Sequence, residues 1–284
     1  MLMNNRVLMS SPKYFDDSKP INPYMDAAVP VNRAIAEHEH RAIKTALVQA
    51  GIEVIEVSAP IDCQDGVYTA NWALVVGEKA IMSMLPNARK AEEAYAEEVL
   101  QAQGLTIIKV PDSLRFSGQG DALPCGKYLF CGSQYRTDAA VHSFLAEELD
   151  CELIGLQTMP QLDSEGLAVI NASSGWPDSF FYDIDLAISV LKPDLIAWCP
   201  DAFVPESQQI MRGLPIDKIE VSLEEAVQSF ACNLISTGET VIMSSTAPLL
   251  QAAVEAHGLK TITPAVSELA KGGGYIRCTT LTIN

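Results

Sequence analysis

A chain of 284 residues with 48% hydrophobic and 19% charged side chains can bury a sizeable core, as one large domain or two small ones. Its net charge of −17 argues against nucleic acid and anionic membrane surfaces, which call for clustered Lys and Arg. The longest apolar stretches, such as Trp72 to Val76, are strand-length, far short of the ~20 residues of a spanning helix.

Taken in chain order, Arg6-Val-Leu-Met-Ser10 reads as a strand, Val31 to Ala50 as a helix and Glu53-Val-Ile-Glu-Val57 as a second strand. Asn71-Trp-Ala-Leu-Val-Val then reads as a strand, with a turn at Gly77 and a return strand Ala80-Ile-Met-Ser-Met. A helix over 88–102 presents Ala91, Ala94, Tyr95, Val99 and Leu100 on roughly one face, and a strand follows from Thr106. The same unit recurs from Asp121: a turn at Gly126, Tyr128-Leu-Phe-Cys, a helix over 138–148 and the strand Cys151 to Leu156. Gly166 to Asn171 reads as an additional strand before the next unit. That unit opens at Asp185-Leu-Ala-Ile-Ser, turns near Lys192-Pro-Asp, and adds Leu195-Ile-Ala-Trp-Cys, a helix over 205–212 and Lys218-Ile-Glu-Val. A fourth runs from Asn233 through a turn at Gly238, Thr240-Val-Ile-Met and a helix over 247–257 to Lys260-Thr-Ile-Thr. A fifth is complete only if Cys278-Thr-Thr-Leu-Thr-Ile at the C-terminus pairs with Arg6 to Ser10. Such pairing predicts a ring without a free sheet edge, and one domain over 1–284.

The seven cysteines form no CxxC pair, and Met1 to Ser10 carries no apolar signal region. Both features predict a reduced, cytoplasmic protein. His38, His40, His142 and His257 match no zinc spacing, and no metal or cofactor is expected.

The five units open at Asn71, Asp121, Asp185, Asn233 and Cys278, each a short polar or thiol side chain. In a ring, equivalent positions point at one axis, which places amides, carboxylates and a thiol together. Asn and Asp also open strands for reasons of turn chemistry alone, so a single such position would carry little weight.

The ring and its motifs resemble the pentein superfamily, which includes arginine deiminase, dimethylarginine hydrolase and glycine amidinotransferase. The resemblance rests on Gly272-Gly-Gly-Tyr-Ile-Arg-Cys278, Phe116-Ser-Gly-Gln-Gly-Asp121 and Tyr135-Arg-Thr-Asp138. Tyr14-Phe-Asp, Ile21-Asn-Pro-Tyr-Met25 and Tyr68-Thr-Ala-Asn71 look like the arginine dihydrolase-like branch. The resemblance implies an α/β five-bladed propeller of ββαβ units with pseudo-fivefold symmetry. It also implies an amidinotransferase or guanidine hydrolase that attacks arginine, or a related guanidino or ureido compound, through Cys278. The chemistry suits the residues: carboxylates bind the guanidinium fork bidentately, and a bound cation can activate a thiol.

By the same resemblance, Asp185 and Asn71 lie near the guanidinium, and Asp121 is a ligand or a structural acceptor. Asn22 and Arg136 lie near the amino-acid end, with a structural ion pair as the other reading of Arg136. Gly273 and Gly274 allow close backbone approach. Two departures stand out: Ser117 where the family commonly has Glu, and Asp183 where it has the catalytic His. His142, within a helix, is expected to face solvent. Asp183 is therefore the candidate acid/base beside Cys278, with a pocket that binds without turnover as the alternative reading. The expected partner is a small cationic guanidino substrate, with no nucleic acid and no membrane, and assembly into a homo-oligomer left open.

Overall fold

The computed structural model describes residues 3–284. The strand β1 (Arg6–Ser10) leads to the helix α1 (Arg33–Gln49), whose N-cap Asn32 accepts a hydrogen bond from the Ile35 N–H at 3.3 Å. Its buried residues Ala36, Glu39, His40, Ile43, Ala46 and Leu47 follow the three- and four-residue spacing of one helix face. Next come β2 (Glu53–Val57), β3 (Ala73–Val76), β4 (Lys79–Met82), α2 (Ala91–Ala102) and β5 (Thr106–Lys109). They are followed by β6 (Ala122–Cys125), β7 (Tyr128–Gly132), α3 (Val141–Leu149), β8 (Glu152–Leu156), β9 (Ile188–Lys192), β10 (Leu195–Trp198), α4 (Pro205–Gly213) and β11 (Asp217–Glu220). The chain ends with α5 (Leu223–Gln228), β12 (Ile235–Ser236), β13 (Thr240–Ile242), α6 (Pro248–Ala256), β14 (Lys260–Ile262) and β15 (Leu281–Thr282).

These strands form five three-stranded sheets built to one plan. The middle strand pairs antiparallel with the strand that opens the unit and parallel with the strand that follows the helix. Gly77 and Gly126 close two of the hairpins at φ +59° and +58°, in the left-handed region where a side chain is strained. The sheet holding the termini pairs β15 with β1, Val7 opposite Thr282, and β1 with β2, Arg6 opposite Glu53. The fifth unit therefore does join the two ends of the chain.

Three local expectations are corrected. Gly166 to Asn171 is not a strand; it lies in a loop with two isolated bridges, Leu162 to Ala168 and Ile170 to Pro177. Asp163 and Asn171 side chains accept backbone N–H groups and fold the loop on itself, while Leu167 and Ile170 stay exposed with no sheet to cover them. The strand expected from Cys278 is reduced to Leu281–Thr282, because Thr279 and Thr280 donate back to Tyr275 and Arg277 and hold Cys278 in a turn. His142 is half-buried rather than solvent-facing, with Nε2 2.9 Å from the Gly132 carbonyl oxygen. Among the described residues no helix is long and apolar enough to cross a membrane.

Candidate active site

Each unit places its opening residue just before its first strand, three of them in or beside a short 3-10 turn: Thr69–Asn71, Gly118–Gly120 and Ile184–Leu186. Asn71, Asp121, Asp185, Asn233 and Cys278 are all almost wholly buried. Buried polar groups must find partners, so the contacts among them fix the site.

Cys278 is held by Asn233 at both ends of its amide. The Asn233 Nδ2 donates to Cys278 Sγ at 3.1 Å, while Oδ1 accepts the N–H groups of Cys278 at 3.1 Å and Tyr275 at 3.2 Å. Asp185 Oδ2 accepts from the thiol at 3.4 Å, and its Oδ1 has no partner. Asp183 Oδ2 accepts from Asn71 Nδ2 at 2.7 Å, and its Oδ1 is likewise unpartnered. Asn71 Nδ2 also reaches the Ser117 hydroxyl at 3.0 Å, and Asn71 Oδ1 accepts from Arg89 Nη1 at 2.7 Å. Arg89 in turn is clamped by Glu92 through Nε at 2.8 Å and Nη2 at 2.7 Å. Asp121 accepts from the Ile184 N–H at 3.0 Å, which ties the second unit to the strand entry of the third.

Burial raises the carboxyl pKa values of Asp121, Asp183 and Asp185, and mutual repulsion adds to the rise at Asp121 and Asp185, with Asp183 as the repelling neighbour. Arg136 and the hydrogen bonds from Ser117 and Asn71 oppose the rise at Asp183. Burial, then Asp185, holds the Cys278 thiol well above its usual range, with Asp183 adding a smaller push. Burial thus shifts these acids and the thiol toward their neutral forms.

Over Cys278 lies a small cavity of about 10 Å³, room for about one water. Its lining includes Asn22, Asp65, Tyr68, Arg136, Tyr182 and Gly274, along with Asn71 and Arg89. Asp183 and Asp185 stand one hydrogen bond behind this lining, through Asn71 and Cys278. The glycine approach shapes the roof. Asn22 Nδ2 donates to the Gly272 carbonyl at 2.9 Å, and the Tyr182 hydroxyl donates to the Gly273 carbonyl. Gly273 sits at φ +87°, and a Cβ there would overlap the Asn22 amide; one at Gly274 would overlap the Tyr68 ring. Arg136 donates to the Ile21 carbonyl at 2.9 Å and lies over the Tyr182 ring, 4.0 Å from its centroid.

Of the nine residues singled out from the sequence, Cys278, Asn71, Asn22, Arg136 and Gly274 line the cavity, and Gly273 accepts from Tyr182 beside it. Asp183 and Asp185 stand one hydrogen bond behind, and Asp121 holds the Ile184 N–H. Four contributors were missed. Asn233 was visible as a unit start but had no role assigned. Tyr182 precedes Asp183 and was passed over. Arg89 was not singled out at all. Asp65, with Oδ1 unpartnered and its carboxyl raised to about 6 by burial, lies in a loop without periodic signal. Its only sequence clue is its place six residues before Asn71 in a polar run.

A model of the family described as N,N dimethylarginine dimethylhydrolase, eukaryotic, matches residues 15–284. The bifunctional arginine dihydrolase/ornithine cyclodeaminase AgrE of Nostoc sp. is 29% identical over 98% of this chain, which spans 38% of that protein's length. The N(G),N(G)-dimethylarginine dimethylaminohydrolase of Mycobacterium tuberculosis is 28% identical over 98% of this chain and 86% of its own length. Among solved structures, the product-bound N-terminal domain of ArgZ, a cyanobacterial arginine dihydrolase, superposes with a TM-score of 0.87 at 27% identity, covering 98% of this chain and 97% of that one. A variant of the same domain has been solved covalently bonded to a reaction intermediate.

Proposed function

The chain belongs to the N,N-dimethylarginine dimethylhydrolase family of the pentein superfamily, and from that premise we propose that it hydrolyses arginine or a related guanidino compound through a covalent Cys278 intermediate. One observation carries the reading: a buried thiol in contact with Asp185, beside Asp183, where each carboxyl keeps one oxygen unpartnered. Water is taken as the acceptor rather than an amine, because the relatives with named activities are hydrolases. The five sheets are read as closing into one five-bladed propeller domain. Support comes from β9, which contacts both β6 and β12, and from β15, which contacts both β1 and β3.

Substrate entry requires the roof to lift, since the cavity of about 10 Å³ is far smaller than an amino acid. The amino-acid end would then meet Arg136 through its carboxylate and Asp65 through its ammonium, with Asn22 beside them. The guanidinium passes between the unpartnered oxygens of Asp183 and Asp185. Its positive charge favours the Asp185 carboxylate and the Cys278 thiolate, and the thiol proton passes to Asp183. The Asn233 amide donates to the thiolate and holds it on line.

Sγ attacks the guanidinium carbon and forms the C–S bond, while the C=N electron pair moves onto nitrogen. Asp183, when protonated, delivers its proton to the departing nitrogen, and the C–N bond breaks to release ammonia or an amine. A water then attacks the amidino carbon and gives its proton to the Asp183 carboxylate. The C–S bond breaks, which frees a ureido product and regenerates the thiolate. Asp183 takes the proton-shuttle place that histidine fills in the family, and burial gives it the raised pKa that an acid needs. The replacements Asp183 and Ser117 were the grounds for a binding protein without turnover; the named relatives lend that alternative no support.

The test is steady-state release of ammonia, or of dimethylamine, with the ureido product, from arginine and from dimethylarginine. Wild type turns over at least one member of such a panel and Cys278→Ser turns over none. Equal activity in Cys278→Ser ends the proposal.

A further inference from the structure

The Cys278 pocket is not the only cavity of this protein. A chamber of about 390 Å³ lies among the opening strands of several units and shares no lining residue with that pocket. Its polar lining includes Arg277, Gln119, Ser189 and Asp185, and apolar walls come from Leu123, Ile188 and Leu234.

Arg277 is buried yet has no carboxylate within 4.0 Å among the described residues. Two of its donors go to neutral acceptors, the Thr282 hydroxyl at 3.0 Å and the Gln119 carbonyl at 2.8 Å. Gln119 Oε1 also receives the Thr282 N–H at 2.9 Å, so this network is built in place and does not collapse onto the cation. The nearest charged partner of Arg277, Asp185, lies beyond ion-pair distance, which leaves the guanidinium fork able to take an anion from the chamber. One further group on the chamber wall points to a ligand: Ser189 is 5% exposed and its Oγ has no partner.

We infer that this chamber is a binding site for a small aliphatic carboxylate, with the carboxylate on Arg277 and Ser189 and the hydrocarbon tail against Leu123, Ile188 and Leu234. The guanidinium fork matches a carboxylate bidentately, and the volume falls in the range of small-molecule pockets. A phosphate or sulfate would meet the cation but leave the apolar walls unfilled. A cation would meet Arg277 head on.

Isothermal calorimetry of the full chain with hexanoate tests the site. Saturable one-site binding is expected, at least tenfold tighter than for hexanamide, which matches its shape without the charge. Arg277→Gln weakens it about 10–100-fold, the loss expected for a charge-assisted pair. Val76, 36% exposed on the chamber lining, gives a second variant that leaves the interior intact: Val76→Trp fills the chamber and abolishes binding. Protein alkylated at Cys278 binds hexanoate as the free protein does, which separates this site from the Arg136 end of the pocket above. Absence of saturable binding overturns the inference. So does undiminished binding in Val76→Trp, or loss of binding on alkylation.

Discussion

Asn233→Ala offers the sharpest separation between holding the chain and activating the thiol. The amide makes three bonds around Cys278: two accepted from backbone N–H groups and one donated to sulfur. Alanine leaves the Tyr275 and Cys278 N–H groups buried without acceptors, at about 1–3 kcal/mol each, so unfolding in urea should report a loss of about 2–5 kcal/mol. It also removes a donor to a charged sulfur, worth about 1.5–3 kcal/mol, or about 1–2 pH units on the thiol. Asn233→Asp is the control: it retains the acceptor oxygen and much of the stability, but turns a carboxylate towards the sulfur and raises the thiol pKa further. The assay is the pH dependence of Cys278 alkylation by the neutral reagent iodoacetamide, followed by peptide mass. At pH 8 both variants should label at least tenfold more slowly than wild type, while only Asn233→Ala is strongly destabilised. A thiol pKa unchanged in both variants would refute the argument that the amide stabilises the thiolate.

Three further outcomes follow from the same contacts. Asp183→His replaces an acid that pushes the thiol pKa up with a group that can carry positive charge. It should lower the Cys278 pKa and raise hydrolysis of arginine by about 10²-fold or more, read as ammonia release against pH. Burial lowers the pKa of His40 from the usual imidazole value of about 6.5 to about 4. The unfolded state therefore takes up this proton first, and stability falls as pH drops from about 6.5 to about 4, by about 3 kcal/mol in total. His40→Gln should flatten that part of a stability-against-pH curve. Glu39 grips the start of the glycine approach, accepting from the N–H groups of Ser267 at 2.7 Å, Glu268 at 2.9 Å and Leu269 at 3.0 Å. Glu39→Gln should cost about 2 kcal/mol in urea melts and lower kcat more than it changes KM.

The repeat was legible because its punctuation is chemical. Gly77, Gly126 and Gly238 mark the turns, and β-rich runs on either side leave few other pairings. The pairing of the two ends could be inferred only because Arg6 to Ser10 and the last residues each lacked a partner strand. The extra strand at Gly166 to Asn171 failed because alternating apolar residues there face solvent, and the Asp163 and Asn171 turns outweigh strand propensity. The helix α5 escaped notice because six residues carry almost no periodicity; its signal is Ser222 capping Glu225. At the site, the residue types at the unit starts were readable, and the bonds between them were not. The two-ended grip of Asn233 on residues 275–278 exists only once the fourth and fifth units meet. Asp65 and Arg89 needed the packing of the 3-10 turn at Asn71 before a role could be seen.

The central claim is a covalent bond between Cys278 and the substrate's guanidino carbon, and rapid-quench mass spectrometry reads that bond directly. Wild type mixed with arginine or dimethylarginine and quenched in acid should carry an amidino adduct on the Cys278 peptide, formed and lost at rates consistent with turnover. Asp183→Asn, which lacks both the acid for the departing nitrogen and the base for the water step, should form the adduct more slowly than wild type and lose turnover. Turnover with no adduct on Cys278, or an adduct carried by Cys63 or Cys131 instead, would contradict the account.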